Sequence, residues 1–269
     1  MPSGILSFPG SVSVPRRAMR QLTEVAPGIL MGTGQPYTTT TTVVTGNDGR
    51  CLVIDPAITV ADVRGLADEL ATRGLWAEAG WATHAHWDHV LWCKELGETP
   101  RYATPAAAAT VVAERTALIE AAEREVPGHD LELFGQLQAL DADHIPWHGP
   151  AARVIVHGGH AMGHGAVFLL ATSTLVAGDM CSDIEIPLLG AGPDAVSRYR
   201  DGLDRLASLD VRVVVPGHGH AGDAAEFRRR LAADVRYLDD LEAGRPSRDS
   251  RITGWLRTEH ERQAGLQHG

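Results

Sequence analysis

The stretch Thr83-His84-Ala85-His86-Trp87-Asp88-His89 decides what this chain is. It follows a segment, 78–83, that we predict as a short strand, and four metal-binding side chains fall within six of its residues. Side chains alternate along a strand end, so His84 and His86 point the same way. The chain then turns, which directs Asp88 and His89 at a neighbouring point. Imidazole nitrogens and carboxylate oxygens bind zinc, iron and manganese, so the stretch is suited to two adjacent ions.

A run of surface histidines is the alternative interpretation of this stretch. Such a run is typical of a tag-like tail, has no carboxylate and does not follow an apolar strand. The position of Asp88 and the preceding strand therefore favour a buried chelating cluster.

Composition limits the classes of protein to consider. The chain has 269 residues, of which 44% are hydrophobic, enough for one large domain with a substantial core. Its net charge of -10 argues against a nucleic-acid partner, which requires a basic surface. Neither a long apolar run nor a signal-peptide pattern is visible, so we expect no membrane association.

The cysteines favour a reducing compartment. Cys51, Cys93 and Cys181 are odd in number and widely spaced, unlike a disulfide framework. We therefore expect a cytoplasmic protein. Cys93 and Cys181 lie near candidate ligands, and the sequence leaves their roles open.

The first half alternates strands and helices. After an N-terminal arm, residues 1–24, β-branched and apolar runs predict strands starting in 25–31 and covering 38–45 and 51–54. Apolar spacing predicts a helix over 59–73. A helical insertion is expected at about 105–142, with pieces at 105–125 and 131–140, and a short helix at 90–97. The insertion is interpreted either as structural packing or as a lid over the site.

The second half repeats this alternation and completes a domain predicted to span 25–244. Strands are expected at 153–156, 166–171, 174–177 and 211–215, and helices at 193–209, 224–241 and 253–263. The last of these helices lies in a predicted C-terminal tail, residues 245–269. Three further candidate ligands follow strands or lie in glycine-rich turns: His160, Asp179 and His218.

The ordered motifs resemble those of the metallo-β-lactamase superfamily over about residues 25–240. They are Val53-Ile54-Asp55-Pro56, His84-x-His86-x-Asp88-His89, Gly159-His160-x-x-Gly163-His164, Val176-Ala177-Gly178-Asp179 and Pro216-Gly217-His218-Gly219. The resemblance implies an αββα sandwich, an α/β fold with two mixed β-sheets face to face and helices on the outer faces. It also implies a dinuclear metal site at one edge.

Position by position, the resemblance assigns a role to each motif residue. The first ion would be held by His84, His86 and His160, the second by Asp88, His89 and His218, with Asp179 bridging the two. Asp55 and His164 would support the ligands from behind. Asp88 would also be catalytic, orienting the nucleophile and carrying a proton to the leaving group. Two divalent ions are implied, zinc first, with iron or manganese as alternatives.

The implied activity is hydrolysis of an ester, thioester or lactone in a small to medium substrate. Glyoxalase-II-like thioesterases and lactonases share this ligand pattern, whereas dedicated β-lactamases of the superfamily lack an aspartate at the position of Asp179. The alternatives are a mononuclear iron persulfide dioxygenase of the same fold and a β-lactam hydrolase. Four residues are candidates for the substrate pocket: Tyr37, Trp87, Met180 and His220. The oligomeric state stays open.

Overall fold

The computed structural model describes residues 21–35, 37–56 and 58–268. Most of the predicted N-terminal arm, residues 1–24, lies outside them. The strands of the first sheet are β1 Thr23–Ala26, β2 Ile29–Thr33, β3 Thr40–Thr45, β4 Arg50–Ile54, β5 Trp76–Trp81, β6 Arg101–Ala103 and β7 Gln138–Ala139. Those of the second are β8 Ala152–His157, β9 His164–Leu169, β10 Thr174–Gly178, β11 Val213–Pro216 and β12 Gly222–Asp223. The α-helices are α1 Val60–Thr72, α2 Pro105–Glu125, α3 Ala195–Ala207, α4 Ala224–Glu242 and α5 Trp255–His268.

Both sheets are mixed. The first has the order β1-β2-β3-β4-β5-β6-β7, with antiparallel pairs up to β4 and parallel pairs from β4 to β7. The second has the order β12-β11-β10-β9-β8, in which only β10 and β11 are parallel. Parallel neighbours end at the same sheet edge, so the loops after β4, β5, β10 and β11 are available to build one site.

Three apolar clusters define the layers. One lies between the sheets and joins residues such as Ile54 and Trp81 to Val167 and Val176. A second packs the first sheet against α1 and α2, and a third packs the second sheet against α3, α4 and α5. The αββα sandwich of two mixed sheets is therefore confirmed.

Local sequence explains where the helices begin. Thr59 accepts the backbone N–H of Asp62 through its side chain, and the Asp62 carboxylate accepts the N–H of Thr59, a reciprocal cap that starts α1. Pro105 occupies the first turn of α2, where its missing N–H is not needed, and Thr104 caps that helix. α1 also packs against β5, the strand that leads into the histidine stretch.

The structure corrects several sequence expectations. Residues 131–140 form turns and the short strand β7 instead of a helix, because Gly135 adopts a φ of +63° and its N–H bonds to the carbonyl of Val90. Within 90–97 only a 3-10 turn forms, at Lys94–Leu96. The expected strand at 25–31 is a hairpin of β1 and β2. The segment predicted as a tail contains α5, and buried Leu256 and Gln263 attach it to the rest.

Direct hydrogen bonds join the two halves at the edge where the ligand-type residues lie. Trp81 Nε1 donates to the carbonyl of Gly165 at 2.8 Å, and Gly165 N–H donates to Thr83 O at 2.7 Å. Thr40 N–H reaches Gly217 O at 2.7 Å. None of the described helices is both long and apolar enough to cross a membrane.

Candidate metal centre

Seven ligand-type side chains converge on one edge of the sandwich. The loop after β5 contributes four, and the β8–β9 loop, the end of β10 and the end of β11 contribute one each. They form two groups, each with its candidate ligand atoms within 4.8 Å of one another: His84, His86, His160 and Asp179 in one, and Asp88, His89 and His218 in the other. All are buried except His86, which is partly buried.

The first group surrounds a point between the two halves of the chain. His86 Nδ1 lies 3.0 Å from both His84 Nε2 and His160 Nε2. Asp179 Oδ2 lies 3.5 Å from the same two Nε2 atoms. Ligand atoms about 2 Å from a tetrahedral ion are separated by roughly 3.3 Å, which is the spacing found here.

The second group has similar spacing and meets the first at Asp179. His89 Nε2 lies 3.4 Å from Asp88 Oδ2 and 3.3 Å from Asp179 Oδ1. His218 Nε2 lies 3.2 Å from Asp88 Oδ2 and 3.5 Å from Asp179 Oδ2. The two oxygens of Asp179 thus contact histidines of both groups, the position that a bridging carboxylate requires.

The protein holds the opposite nitrogen of four rings. His160 Nδ1 donates to Leu188 O at 2.9 Å, and His218 Nδ1 donates to Tyr37 O at 3.1 Å. His89 Nδ1 lies 2.9 Å from the Asp55 carboxylate, and His84 Nδ1 lies 3.0 Å from Thr83 Oγ1. Acceptors at Nδ1 place the ring proton there and leave the Nε2 lone pair pointing inward, as a metal ligand needs.

These residues fit divalent ions. Inward lone pairs 3.0 Å apart, as between His84 and His86, repel one another unless a cation or proton lies between them. His89 Nε2 and Asp179 Oδ1 are fully buried and lack a hydrogen-bond partner among the described residues. Buried polar atoms without partners are costly, and a nitrogen–oxygen donor set of this kind suits zinc, iron or manganese.

The pKa values of the ligand-type side chains favour the binding of a cation. Burial holds the pKa of His84 well below its usual range and lowers that of His160 to about 4, which keeps both rings neutral. Burial alone would raise the pKa of Asp179, but the His89 and His218 rings outweigh it and hold that pKa well below the ordinary value. Asp179 in turn raises the pKa of His89 and His218 against the effect of burial, so metal binding displaces protons from these rings.

Two glycines allow the close approach. A Cβ on Gly217 would lie 2.1 Å from Asp179 Oδ1, so only glycine fits beside the central carboxylate. Gly178 has a φ of +56°, and a Cβ there would lie 2.4 Å from His164 Nε2. The glycines of the sequence motifs thus make room for the side chains next to them.

Asp55 and His164 both touch the candidate ligands from behind. Asp55 accepts the N–H and hydroxyl of Thr83 at 2.8 and 2.7 Å, as well as Nδ1 of His89. The His164 ring stacks on that of His84, with centroids 5.0 Å apart and planes 15° apart. The supporting roles that the sequence gives to both residues stay predictions.

The predicted pocket residues have different environments. Trp87 and Met180 are 3% and 1% exposed and belong to the apolar core, so neither lines an open pocket. Tyr37 is half-buried, and its hydroxyl donates to Glu125 at 3.1 Å, at the end of α2. His220 is exposed and pairs with Asp183 at 2.8 Å. Roles for Tyr37 and His220 in substrate binding stay predictions.

The three cysteines are free and buried. Burial raises the pKa of the Cys93 thiol to about 11 and that of Cys181 well above its ordinary value. Neither belongs to either ligand group.

Glu185 is a buried carboxylate that the sequence analysis did not single out. It is buried among groups that include His218, Asp179 and Asp88, which influence the pKa of its carboxyl.

Comparison with known proteins identifies relatives of this architecture. Residues 34–218 match the family model described as the metallo-beta-lactamase superfamily. No curated protein is found to be similar in sequence.

Several solved structures share the fold. A metallo-beta-lactamase family protein from Thermus thermophilus superposes with a TM-score of 0.62 at 24% identity, over 81% of each chain. A beta-lactamase domain protein from Burkholderia ambifaria gives 0.64 at 20% identity, over 88% of this chain and 79% of that one. A metallo-beta-lactamase from Pontibacter korlensis gives 0.60 at 17% identity, over 79% and 97%. At these identities the likeness concerns the fold alone.

Proposed function

The chain belongs to the metallo-beta-lactamase superfamily, and on that basis we propose that it is a metal-dependent hydrolase of an ester, thioester or lactone bond. The substrate is a small to medium molecule, and nucleic acid is not a partner of a surface with this net negative charge. The buried, free cysteines support a reducing, cytoplasmic location.

One observation carries the proposal: two groups of ligand-type side chains share the Asp179 carboxylate. His84, His86 and His160 would hold one ion, and Asp88, His89 and His218 the other, with Asp179 between them. Zinc suits this set best, and iron or manganese are the alternatives. When bound, such ions supply Lewis acidity, which activates water and polarises a carbonyl.

Asp88 is the residue to which the proposal gives the handling of protons. Its Oδ2 atom contacts His89 and His218, whereas Oδ1 has no hydrogen-bond partner among the described residues. Burial raises the pKa of Asp88, but the His89 and His218 rings lower it more, so the carboxylate is ionised at neutral pH. We propose that Asp88 orients the attacking water through this oxygen and passes a proton to the leaving group.

The test combines metal content with a substrate panel. Purified protein should contain about two equivalents of divalent metal, as two ligand groups imply. It should also hydrolyse at least one member of a panel of lactones, thioesters, esters and β-lactams. Asp88→Asn should lose turnover by about 10²-fold or more, the usual contribution of a positioned acid–base group.

A control variant and a contrary outcome complete the design. Asp143→Asn removes a carboxylate that is 83% exposed and pairs only with the adjacent His144, so turnover should be unchanged. One equivalent of iron together with oxygen uptake on a persulfide would show a dioxygenase instead. Full activity in Asp88→Asn would show that the proton is handled elsewhere.

A further inference from the structure

A second concave surface is lined by residues outside the candidate metal centre. It is a cavity of about 280 Å³ between α4, the segment 247–251 that precedes α5, and residues Ser182 and Asp183. None of the described residues that line it belongs to either ligand group. Pockets for drug-sized ligands start at roughly 300 Å³, so this cavity suits a small molecule or one end of a larger one.

Arginine is the commonest residue of the cavity wall, although the chain as a whole has a net charge of -10. Five of the described lining residues are arginines: Arg229, Arg230, Arg236, Arg248 and Arg251. Three aspartates lie among them. Whether the wall can attract an anion depends on which of these charges already have partners.

The three aspartates of the wall already have cationic partners. Asp249 accepts Nε and Nη2 of Arg251 with its two oxygens, at 3.0 and 2.7 Å. The other pairs are Asp183 with His220, at 2.8 Å, and Asp240 with Arg245, at 3.0 Å. These carboxylates are therefore engaged by cations other than Arg236 and Arg248.

Two buried arginines hold the wall in place. Arg230 is 3% exposed and pairs with Glu226 at 2.9 Å. Arg251 is 8% exposed, pairs with Asp234 at 2.7 Å and donates to Ser182 O at 3.0 Å. Because these contacts join α4, the segment 247–251 and Ser182, the cavity is pre-formed, and a ligand would not have to organise its walls.

Arg236 and Arg248 are the two arginines of the wall that remain. Arg229 is held by Glu226, whereas Arg236 and Arg248 have no hydrogen-bond or ion-pair partner among the described residues. They belong to different elements, α4 and the segment 247–251, and both are exposed to solvent. A single exposed arginine is simply solvated, but two that line one small cavity repel each other, and an anion between them removes that repulsion.

The chemistry of these side chains favours a phosphate group. A guanidinium is planar, stays charged and binds phosphate oxygens through two parallel N–H groups. Two guanidiniums match the charge of a phosphate dianion better than that of a carboxylate. Ser247 also lines the cavity; its Oγ accepts the N–H of Asp249 at 3.3 Å and can donate its own proton to a ligand oxygen.

We infer that this cavity is a binding site for a phosphate group, either inorganic phosphate or the phosphoryl end of a small metabolite. Arg236 and Arg248 are the anion contacts, and the arginines paired within the wall hold the cavity open. The site does not depend on the proposed function, because it uses none of the ligand-type residues.

Calorimetry on the protein as purified tests the site. At about pH 8 a phosphate is a dianion. Two charge-assisted contacts of ordinary strength correspond to a dissociation constant on the order of 1 mM or less for inorganic phosphate. Acetate at equal ionic strength should bind about tenfold more weakly or less, because it has one charge. Ribose 5-phosphate binding more tightly than phosphate would identify a phosphorylated metabolite as the ligand, and equal or weaker binding would identify phosphate itself.

Three variants locate the bound anion. Arg236→Gln and Arg248→Gln should each weaken phosphate binding about tenfold, the loss expected for one charge-assisted contact. Arg228→Gln is the matched control, because Arg228 is exposed on the same helix but does not line the cavity. This control should bind phosphate within about twofold of the wild-type affinity. Thermal unfolding without phosphate should show that all three variants are folded.

Four results would overturn the inference. The first is no binding up to roughly 10 mM phosphate, tenfold above the expected constant. The second is an unchanged affinity in both Arg236→Gln and Arg248→Gln, which would mean that phosphate binds elsewhere, for example at the ligand groups. The third is an equal loss in Arg228→Gln, which would indicate attraction to general surface charge. The fourth is equal affinity for acetate and phosphate. Each leaves the proposed hydrolase untouched, because metal content and the substrate panel test that function separately.

Discussion

Replacing Asp55 with asparagine tests whether the carboxylate behind the ligands controls metal binding. Asp55 Oδ1 accepts the Thr83 N–H, and Oδ2 accepts both the Thr83 hydroxyl and His89 Nδ1. An amide offers one acceptor oxygen and one donor NH₂. In either orientation a donor therefore meets a donor, at Thr83 N–H or at His89 Nδ1.

The size of the effect follows from these bonds. Hydrogen bonds to a charged group contribute about 1.5–3 kcal/mol each, and Asp55→Asn loses the charge and at least one of the three. If the amide NH₂ faces His89, the ring proton moves to Nε2, the nitrogen needed for the ion. Loss of a carboxylate that supports a metal-binding histidine typically weakens metal affinity 10–100-fold, about 1.4–2.7 kcal/mol.

The assay separates metal affinity from folding. Competition with a chromogenic chelator gives the zinc affinity, and urea unfolding of the metal-free protein gives stability. Asp62→Asn is the control: it removes another buried carboxylate, in the cap of α1, and should cost about 1 kcal/mol of stability with no change in zinc affinity. A zinc affinity for Asp55→Asn within about threefold of wild type would refute the reasoning.

Three further substitutions test buried polar groups. Burial lowers the pKa of His157 to about 3. Below pH 6.5 the unfolded chain therefore takes up a proton at this residue that the folded chain does not. The folded state is thus destabilised as the pH falls from 6.5 toward 3. In urea unfolding of the metal-free protein, His157 should therefore reduce the free energy of unfolding by about 2 kcal/mol between pH 7 and 5. In His157→Gln, the fall in the free energy of unfolding over the same pH range should be smaller by about 2 kcal/mol. Arg251→Met leaves the buried Asp234 without its 2.7 Å partner and should cost about 3–5 kcal/mol at pH 7. Because burial already raises the pKa of Asp234 to about 6, protonation should reduce that loss at pH 5; a pH-independent loss would contradict this. Trp81→Phe removes the indole N–H that donates to the carbonyl of Gly165, and it should lower the free energy of unfolding by about 1–3 kcal/mol, measured by thermal unfolding. An unchanged melting temperature would mean that this hydrogen bond between the two halves does not stabilise the fold.

The convergence of the seven ligand-type residues could be expected from sequence because they follow predicted strands or lie in glycine-rich turns. The run 211–215 is continuously apolar, and the strand it predicts, observed at Val213–Pro216, ends next to His218. The glycines beside Asp179 and His218 gave a second, independent signal. The structure explains the glycine at 217, because a Cβ there would lie 2.1 Å from Asp179 Oδ1.

Local pattern failed where tertiary contacts decided the backbone. Leucines at 131, 133, 137 and 140 suggested a helix, yet Gly135 turns the chain and β7 pairs with β6. A short apolar window cannot reveal such pairing, because the partner strand lies far along the chain. The same limit applies to Met180, which the sequence placed near a pocket and which packs against Gly159 and Gly202.

Glu185 shows a different limit. Its spacing from Asp179 has no motif value, and its burial near both ligand groups follows from the hydrogen bonds that join residues 182–188 to His218 and His160.

The division of the ligand-type residues between the two sheets has a consequence for the supply of this protein in a cell. Four come from the first sheet and three from the second, and each of the two ligand groups contains members from both, so an ion held by either group would bind only the chain in which both sheets have docked. By mass action, free ion at 100 times its dissociation constant adds about 2.7 kcal/mol to the folded state. A shift of that size changes how much of a marginally stable chain proteases remove. Metal starvation would therefore lower the abundance of this protein as well as its turnover of substrate.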